Sequence, residues 1–194
     1  TGIEIGDVSG VLASPEWAEA HDREWTDGQT ITAAIGQSYN AFTPLQLANY
    51  VATLVSGGEH YAAHLLKSVK SYDNSRLIYN YDEKPLNNMN ISDSTMAAVT
   101  KGMHDLTHDS LTSAFSRCMV EAGAKTGSAQ VGTDIANGVF VAYAPYDDPE
   151  IAVAIVVEKG GSGSLLANAA VDIINAWFSR GSSSVTTGEN TLLQ

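Results

Sequence analysis

The sequence predicts a mixed α/β fold in which an antiparallel sheet is flanked by helices. Two apolar segments, 139–144 and 151–157, are separated by a short loop with a proline at each end, which is typical of a β-hairpin. Apolar residues recur at helical spacing before this hairpin, over 44–56, and after it, over 165–178. With 194 residues, of which 44% are hydrophobic, the chain is long enough for one domain with a sizeable core.

The first 35 residues are rich in Gly, Asp and Glu, and we expect them to be irregular apart from a short helix over 15–21, with Pro15 in its first turn. The clearest helix follows. Thr43 and Gln46 have the spacing of a capping box, and Pro44 suits the first helical position. The pair Gly57-Gly58 should end this helix.

Short strands and turns are predicted over 60–91. The expected strand segments are Leu65-Leu66, Val69 and Leu77–Tyr79, with breaks at Asp73-Asn74 and Asn87-Asn88. Ser92 should then cap a second long helix over 93–106, and a shorter helical segment is expected over 110–117. The inward positions predicted for the long helix are Met96, Val99 and Met103.

The C-terminal third contains the hairpin and a last helix. Both hairpin strands are apolar almost throughout, which predicts burial on both faces. Gly160–Gly163 should form the turn into the last helix, whose predicted apolar side is Leu166, Ala170, Ile173, Ile174 and Trp177. Residues 181–194 are polar and rich in Ser, Thr and Gly, so we expect a folded unit over 1–180 and a disordered tail.

Composition excludes several classes of function. The net charge of −12 argues against nucleic acid as a partner, because phosphates require a basic surface. It also argues against a polybasic membrane-binding patch. No apolar run reaches the roughly 18 residues of a membrane span. The single cysteine, Cys118, cannot form an intrachain disulfide and is expected to pack as a small apolar residue.

Lys125, Thr126 and Gly127 form the most informative motif. On an extended strand Lys125 and Gly127 share one face and Thr126 points to the other. Glycine lets a ligand approach the backbone closely, and a cation with a hydroxyl beside it can bind a carboxylate. The tripeptide occurs among the signatures of penicillin-binding proteins and serine β-lactamases.

The surrounding sequence strengthens this interpretation. Gly36-Gln37, the segment Thr43-Pro-Leu-Gln-Leu-Ala48, the Lys-Thr-Gly strand and a terminal helix follow one another, and Thr1–Glu4 precedes them. This order resembles the C-terminal half of the transpeptidase domain of class B penicillin-binding proteins, over about residues 1–180. The resemblance implies the serine β-lactamase/transpeptidase fold, of which this chain would supply the three C-terminal strands and the last helix.

The resemblance also implies a function. The parent protein would be a D,D-transpeptidase that cross-links peptidoglycan stem peptides and is acylated by β-lactam antibiotics. Lys125 and Thr126 would bind the carboxylate, Gly127 would permit close approach, and Ser128 would supply an oxyanion donor and a hydroxyl. No metal or organic cofactor is implied. The family is anchored by an N-terminal membrane helix, so we expect this chain to be a fragment of a protein at the extracytoplasmic face of a bacterial membrane. The parent protein would have divisome or elongasome partners. The fragment itself is expected to be soluble and able to self-associate.

The family's nucleophile motif, Ser-x-x-Lys, is absent from the sequence. The residues three positions before the six lysines are His64, Lys67, Tyr81, Ala98, Ala122 and Val156. A second family motif, Ser-x-Asn, has one formal match at Ser38-Tyr39-Asn40, but the family does not place its catalytic motif in that segment, so we interpret the match as coincidental. We therefore expect no catalytic residue in this chain and no activity from it alone.

Alternatives remain at this stage. The parent could be a related D,D-carboxypeptidase or β-lactamase, although the Thr-Pro-Leu-Gln-Leu-Ala segment favours the transpeptidase. The chain could also be a secreted binding module with a chance Lys-Thr-Gly. Two histidine pairs at i,i+4 spacing, His60/His64 and His104/His108, resemble zinc ligands, but no Glu directly follows the first His of either pair. We therefore expect no metal site.

Overall fold

The computed structural model describes residues 1–133 and 135–180. The helices are α1 (Pro15–Ala20), α2 (Asp27–Ala34), α3 (Pro44–Val55), α4 (Asp93–His108), α5 (Thr112–Phe115) and α6 (Ala167–Ser179), with a 3₁₀ helix at Gly163–Leu166. The strands are β1 (Glu59–His60), β2 (Ser68–Lys70), β3 (Leu77–Asn80), β4 (Asn87–Asn88), β5 (Gly123–Gln130), β6 (Ala136–Ala144) and β7 (Ile151–Val157).

The main sheet is antiparallel and has three strands in the order β5-β6-β7. This arrangement confirms the predicted fold class and the hairpin formed by β6 and β7. Within the described sheet β5 and β7 are the edge strands, so each has one side without a strand neighbour. The other strands form two small antiparallel ladders, β1 with β4 and β2 with β3.

Each face of the sheet is covered by a different pair of helices, α5 and α6 on one face and α3 and α4 on the other. Phe140 and Ala142 of β6, both fully buried, face a core that includes Ala170 and Ile174 of α6. The alternate residue Tyr143 faces the opposite side, where it packs with residues of α3 and α4. Side chains of β6 alternate between the two faces, so the molecule has two cores, one on each face of the sheet. Lys125 lies on the neighbouring strand β5 of this sheet.

Local sequence signals place the starts of α3 and α4 correctly. Thr43 and Gln46 form the predicted capping box, with the Thr43 N–H donating to Gln46 Oε1 over 2.8 Å, and Ser92 caps α4. The prediction that residues 21–35 are irregular is wrong, because α2 lies there. Thr26 accepts a hydrogen bond from the Gln29 N–H, so α2 begins with the same Thr-x-x-Gln spacing as α3. None of its residues is buried, so this helix needs no apolar stripe and its sequence carries little helical periodicity.

Two predictions between residues 60 and 91 are wrong. Leu65-Leu66 is not a strand, because the carboxylate of Glu4 accepts hydrogen bonds from the Leu65 and Leu66 N–H groups over 3.0 and 3.3 Å. Hydrogen bonds from its own N–H and then from that of Leu65 lower the pKa of Glu4. Asn87-Asn88 is not a break but β4, which pairs with Glu59–His60. Both outcomes depend on partners distant in sequence.

Several apolar side chains predicted to face inward are exposed. Val99 of α4 is 41% exposed, and Ile173 and Trp177 of α6 are 43% and 38% exposed. The buried stripe of α6 runs instead through Ala167, Ala170, Val171 and Ile174, which are spaced i, i+3, i+4 and i+7. In β7 only Val153 is buried, so the prediction of burial on both faces is wrong for this strand.

Two further expectations concern the C-terminal tail and membrane-spanning helices. The predicted disordered tail, residues 181–194, lies outside the described residues. Among residues 1–133 and 135–180, no helix combines the length and the apolar character needed to cross a bilayer.

Candidate functional site

The Lys-Thr-Gly motif lies on β5, at a free edge of the main sheet. The register pairs Lys125 with Val141 and Gly127 with Val139, and it pairs Thr126 with Phe140. Lys125 and Gly127 therefore share the face that leads to α3 and α4, as predicted, whereas Thr126 points to the α6 side. Lys125 is exposed and Thr126 is half-buried.

Two hydrogen bonds identify which backbone groups face the open edge of β5. The Lys125 ammonium donates to the carbonyl oxygen of Thr126 over 2.6 Å, and Gln37 Nε2 donates to the carbonyl oxygen of Ser128 over 3.0 Å. In an antiparallel strand the N–H and C=O of one residue point to the same side, and the next residue points to the other. The N–H groups of Thr126 and Ser128 therefore also face the open edge, where they can pair with an extended ligand.

The backbone at Gly127 rests directly on the 3₁₀ helix. A Cβ atom at Gly163 would overlap the carbonyl oxygens of Val139 and Gly127 and would lie 2.9 Å from the Gly127 nitrogen. Such a close approach of two backbone segments is possible only with glycine at this position. Gly163, which the sequence analysis treated only as part of a turn, thus supports the strand that carries the motif.

Gln37 is a second residue whose role the sequence analysis missed. It follows Gly36, whose φ of +83° turns the chain after α2. The only available signal was the Gly-Gln pair itself, because Gln37 and Ser128 are 91 residues apart. The contact ties the segment after α2 to the candidate site.

Asn40 holds this segment in place. Its Oδ1 accepts a hydrogen bond from the Ala13 N–H over 2.9 Å, and its Nδ2 donates to the carbonyl oxygen of Gln37 over 3.0 Å. The Ser38 hydroxyl donates to the side chain of Gln29. The side chains of Ser38 and Asn40 therefore bind neighbouring segments of the chain.

The candidate site lies at an exposed strand edge. A cavity of about 610 Å³ lies elsewhere, between α3 and the N-terminal segment, and its lining includes Leu12, Phe42 and Tyr50. Lys125, Thr126, Gly127 and Ser128 do not contribute to that lining. Recognition at β5 would therefore rely on edge pairing and charge.

The two histidine pairs have different surroundings. His64 stacks on Tyr81 with ring centroids 3.5 Å apart. His104 and His108 meet the carboxylate of Glu121, which sits just before β5. Glu121 lies outside α4, so the local spacing of the two histidines gave no sign of this third residue.

Comparison with known proteins gives one consistent result. The family model of the penicillin binding protein transpeptidase domain matches residues 5–175. The peptidoglycan D,D-transpeptidase MrdA of Acinetobacter baumannii is 28% identical over 195 residues, which cover 92% of this chain and 29% of that protein. The chain thus spans less than a third of the length of this curated relative.

Solved structures agree with the family match. Penicillin-binding protein 2B of Streptococcus pneumoniae has a TM-score of 0.75 at 30% identity, covering 91% of this chain and 29% of that chain. A peptidoglycan synthase complex, described as coordinating polymerization and crosslinking, gives a TM-score of 0.74 at 26% identity, covering 95% of this chain and 32% of that one.

Proposed function

The chain belongs to the family of penicillin-binding protein transpeptidase domains, and on this basis we propose that it is the C-terminal part of a class B peptidoglycan D,D-transpeptidase. In this proposal its free β5 edge binds the carboxylate of a stem peptide or of a β-lactam. The observation that supports it most is that the backbone N–H and C=O groups of Thr126 and Ser128 face the open edge, with the Lys125 ammonium beside them.

Lys125 is the charged partner in this proposal. Its ammonium already reaches the free edge, where it donates to the Thr126 carbonyl oxygen, so an arriving carboxylate would replace a neutral acceptor by a charged one. A ligand lying along an edge meets both faces of the sheet. Lys125 can therefore reach the carboxylate from one face, and the Thr126 hydroxyl from the other. Gly127 between them adds no side chain, so the ligand backbone can approach closely.

Ser128 would supply one half of the oxyanion hole. Its N–H faces the free edge, and the Gln37 amide fixes the peptide by binding the Ser128 carbonyl oxygen. In the family the second donor is the N–H of the nucleophilic serine, which this chain lacks because none of its lysines is preceded by Ser at −3. The serine hydroxyl would attack the carbonyl carbon and form an acyl ester, while both N–H groups stabilise the developing oxyanion. The carbonyl C–N bond breaks and the hydroxyl proton passes to the nitrogen, which releases the amine of a peptide or opens the ring of a β-lactam.

Setting and partners follow from the same proposal. We expect the complete protein to act at the extracytoplasmic face of a bacterial cell membrane, in a divisome or elongasome assembly. The match to a structure of a peptidoglycan synthase complex supports such partners. A transpeptidase passes the acyl group to an amine of a second stem peptide, whereas a carboxypeptidase or β-lactamase passes it to water. Cross-linked and hydrolysed products therefore distinguish the alternatives.

The test uses the complete protein that contains these residues. Lys125→Ala should slow acylation by a fluorescent penicillin about 10- to 100-fold, because a charge-assisted hydrogen bond contributes about 1.5–3 kcal/mol. Lys70→Ala, at an exposed position of β2, is the matched control and should leave the rate unchanged. Unchanged acylation by Lys125→Ala would contradict the assignment. The 194-residue chain alone should form no adduct in intact-mass spectrometry, and a stoichiometric adduct would reveal a nucleophile within it.

A further inference from the structure

We propose that His104, His108 and Glu121 form a binding site for a divalent transition-metal ion, with Zn²⁺ as the best match. The ligand atoms that the three side chains offer lie within 4.8 Å of one another. His104 and His108 belong to the last turns of α4, and Glu121 belongs to the segment that leads into β5. The site is separate from the Lys125 edge and does not depend on the function proposed for it.

The geometry is already close to that of a zinc site. One oxygen of Glu121, Oε2, lies 3.2 Å from His104 Nε2 and 3.0 Å from His108 Nε2. In a tetrahedral zinc site with bonds of 2.0–2.1 Å, neighbouring ligand atoms are about 3.3 Å apart. The i,i+4 spacing brings the two imidazole rings side by side, with centroids 4.1 Å apart. Small side-chain rotations would therefore admit an ion between the three groups.

Proton counting at His108 provides an independent argument. Its Nε2 faces the Glu121 carboxylate, and its Nδ1 lies 3.1 Å from both the carbonyl oxygen of His104 and the hydroxyl oxygen of Thr107. Because the Thr107 hydroxyl donates its proton to a backbone carbonyl oxygen, all these partners act as acceptors, but a neutral imidazole has only one N–H to donate. A proton on Nδ1 satisfies the carbonyl oxygen and leaves the Nε2 lone pair aimed at the carboxylate. A metal ion at that position would satisfy both groups, and this is the usual arrangement of a metal-bound histidine.

The surroundings hold the ligands in position. Thr107, which lies between the two histidines in sequence, is buried. Its hydroxyl oxygen lies 2.7 Å from the carbonyl oxygen of His104 and 3.1 Å from that of Ala122, so it bridges α4 and the start of β5. The carbonyl oxygen of Glu121 accepts a hydrogen bond from the Tyr146 N–H over 2.9 Å. The Tyr146 ring also packs on His104, with centroids 4.3 Å apart. Ligands fixed in this way lose little conformational freedom on binding.

The donor set selects the class of metal. Two imidazoles with one carboxylate suit Zn²⁺ and neighbouring transition metals, whereas Mg²⁺ and Ca²⁺ prefer oxygen ligands throughout. The side chains of His104, His108 and Glu121 are 27%, 50% and 64% exposed, so an ion can enter from solvent. Three protein ligands leave one position for water or a further ligand. The ion would fasten α4 to the segment leading into β5.

The experiment is a titration of the metal-free 194-residue chain with Zn²⁺, followed by calorimetry and by thermal unfolding. We expect one ion per chain, and the melting temperature should rise by about 5–10 °C at a hundredfold excess over Kd. Glu121→Gln and His108→Gln should each weaken binding at least about tenfold. Both side chains are at least half exposed, so these variants should retain the circular dichroism spectrum of the parent. Mg²⁺ should produce no shift.

The other histidine pair provides the matched control. The double variant His60→Gln/His64→Gln should bind Zn²⁺ as the unaltered chain does. The proposal is overturned if the unaltered chain shows no stoichiometric binding, because the cluster is then only an ion pair. It is equally overturned if Glu121→Gln and His108→Gln bind normally, or if only the control variant loses binding, because the ion then binds elsewhere.

Discussion

Tyr143 places a polar group in the core behind the candidate site. Its hydroxyl is buried and has no hydrogen-bond partner among the described residues. It occupies the space beside Gly123, where a Cβ atom would lie 2.6 Å from the Tyr143 Cζ and 2.8 Å from its hydroxyl oxygen. Gly123 therefore makes room for the phenol at the start of β5. Burial, and after it the charges of Tyr146 and Asp147, raise the pKa of the Tyr143 hydroxyl well above its ordinary value near 10.

Tyr143→Phe should raise the free energy of unfolding by about 1–3 kcal/mol, because it removes a buried group that has lost its hydration without gaining a partner. The gain should grow above pH 10. The unfolded chain ionises this tyrosine there while the folded chain keeps the proton, so the contribution of the Tyr143 hydroxyl to the free energy of unfolding is constant below pH 10 and falls above it. Urea unfolding across pH 7–11 measures both effects. Tyr72→Phe, at a fully exposed side chain, should change neither, and a loss of stability in Tyr143→Phe would show that the hydroxyl has a partner.

Gly163 provides a second prediction at this scale. Gly163→Ala should lower the free energy of unfolding by about 1–3 kcal/mol, since the new methyl group would overlap the carbonyl oxygens of Val139 and Gly127. In the complete protein it should also slow penicillin acylation, because β5 is displaced. Gly102→Ala is the control with the opposite sign. Gly102 lies in α4 with open space around it, so alanine should stabilise the helix by about 0.5–1 kcal/mol. Equal effects from the two variants would contradict the packing argument.

At the scale of single elements, the start of α3 combines two functions. Thr43 and Gln46 cap the helix reciprocally, and Gln46 Nε2 also donates to the carbonyl oxygen of Val8 over 3.1 Å. The cap thus ties the N-terminal segment to a helix that buries Val51 and Leu54 against the sheet. The same Thr-x-x-Gln spacing at α2 caps a helix that buries none of its residues.

Thr43→Ala should therefore cost about 0.5–2 kcal/mol of global stability, the usual range for a lost N-cap. Thr26→Ala removes an equivalent cap but should only increase fraying of α2, because opening of that helix is not coupled to the core. Denaturant unfolding measures the first effect, and amide hydrogen exchange within residues 27–34 measures the second. A larger global loss from Thr26→Ala than from Thr43→Ala would show that α2 is more firmly docked than its exposure indicates.

An element could be predicted from the sequence when the residues that form it interact over a short sequence separation. Caps, prolines and glycine pairs act within one turn of helix, so α1, α3, α4 and the hairpin were predicted within a few residues. The ladder between Glu59–His60 and Asn87–Asn88 and the Glu4 carboxylate at Leu65 depend on partners far along the chain, and local patterns gave no sign of them.

The site shows the same division. Strand alternation predicted the faces of Lys125 and Thr126, because it is a property of one extended segment. The contacts of Gln37 with Ser128, and of Glu121 with the histidines of α4, join different elements, and only the three-dimensional fold reveals them. The family resemblance identified the motif strand but carried no information about the cluster at Glu121.

At the scale of the whole molecule, the described chain leaves much apolar surface uncovered. Among the described strands, β7 pairs only with β6. Of its side chains, Val153 is buried, Val157 is exposed and the other five are half-buried. On α6, Ile173 and Trp177 face outward, and Leu165 precedes them in the 3₁₀ helix with 71% exposure. The net charge of −12 opposes association only weakly at physiological salt, where screening acts within roughly 8 Å.

We therefore expect the 194-residue chain to self-associate when isolated, because an unpaired strand edge can pair with another chain and apolar burial contributes about 25 cal/mol per Å². Sedimentation velocity over a concentration series should show a monomer that converts to larger species. Val157→Lys charges the end of the β7 edge, and Ile173→Glu charges the outer face of α6, so the variant that restores the monomer identifies the surface involved. Ile35→Glu, at an exposed residue that follows α2, is the control. A monomer at every concentration, with β7 amides protected from hydrogen exchange, would mean that the chain covers this edge itself.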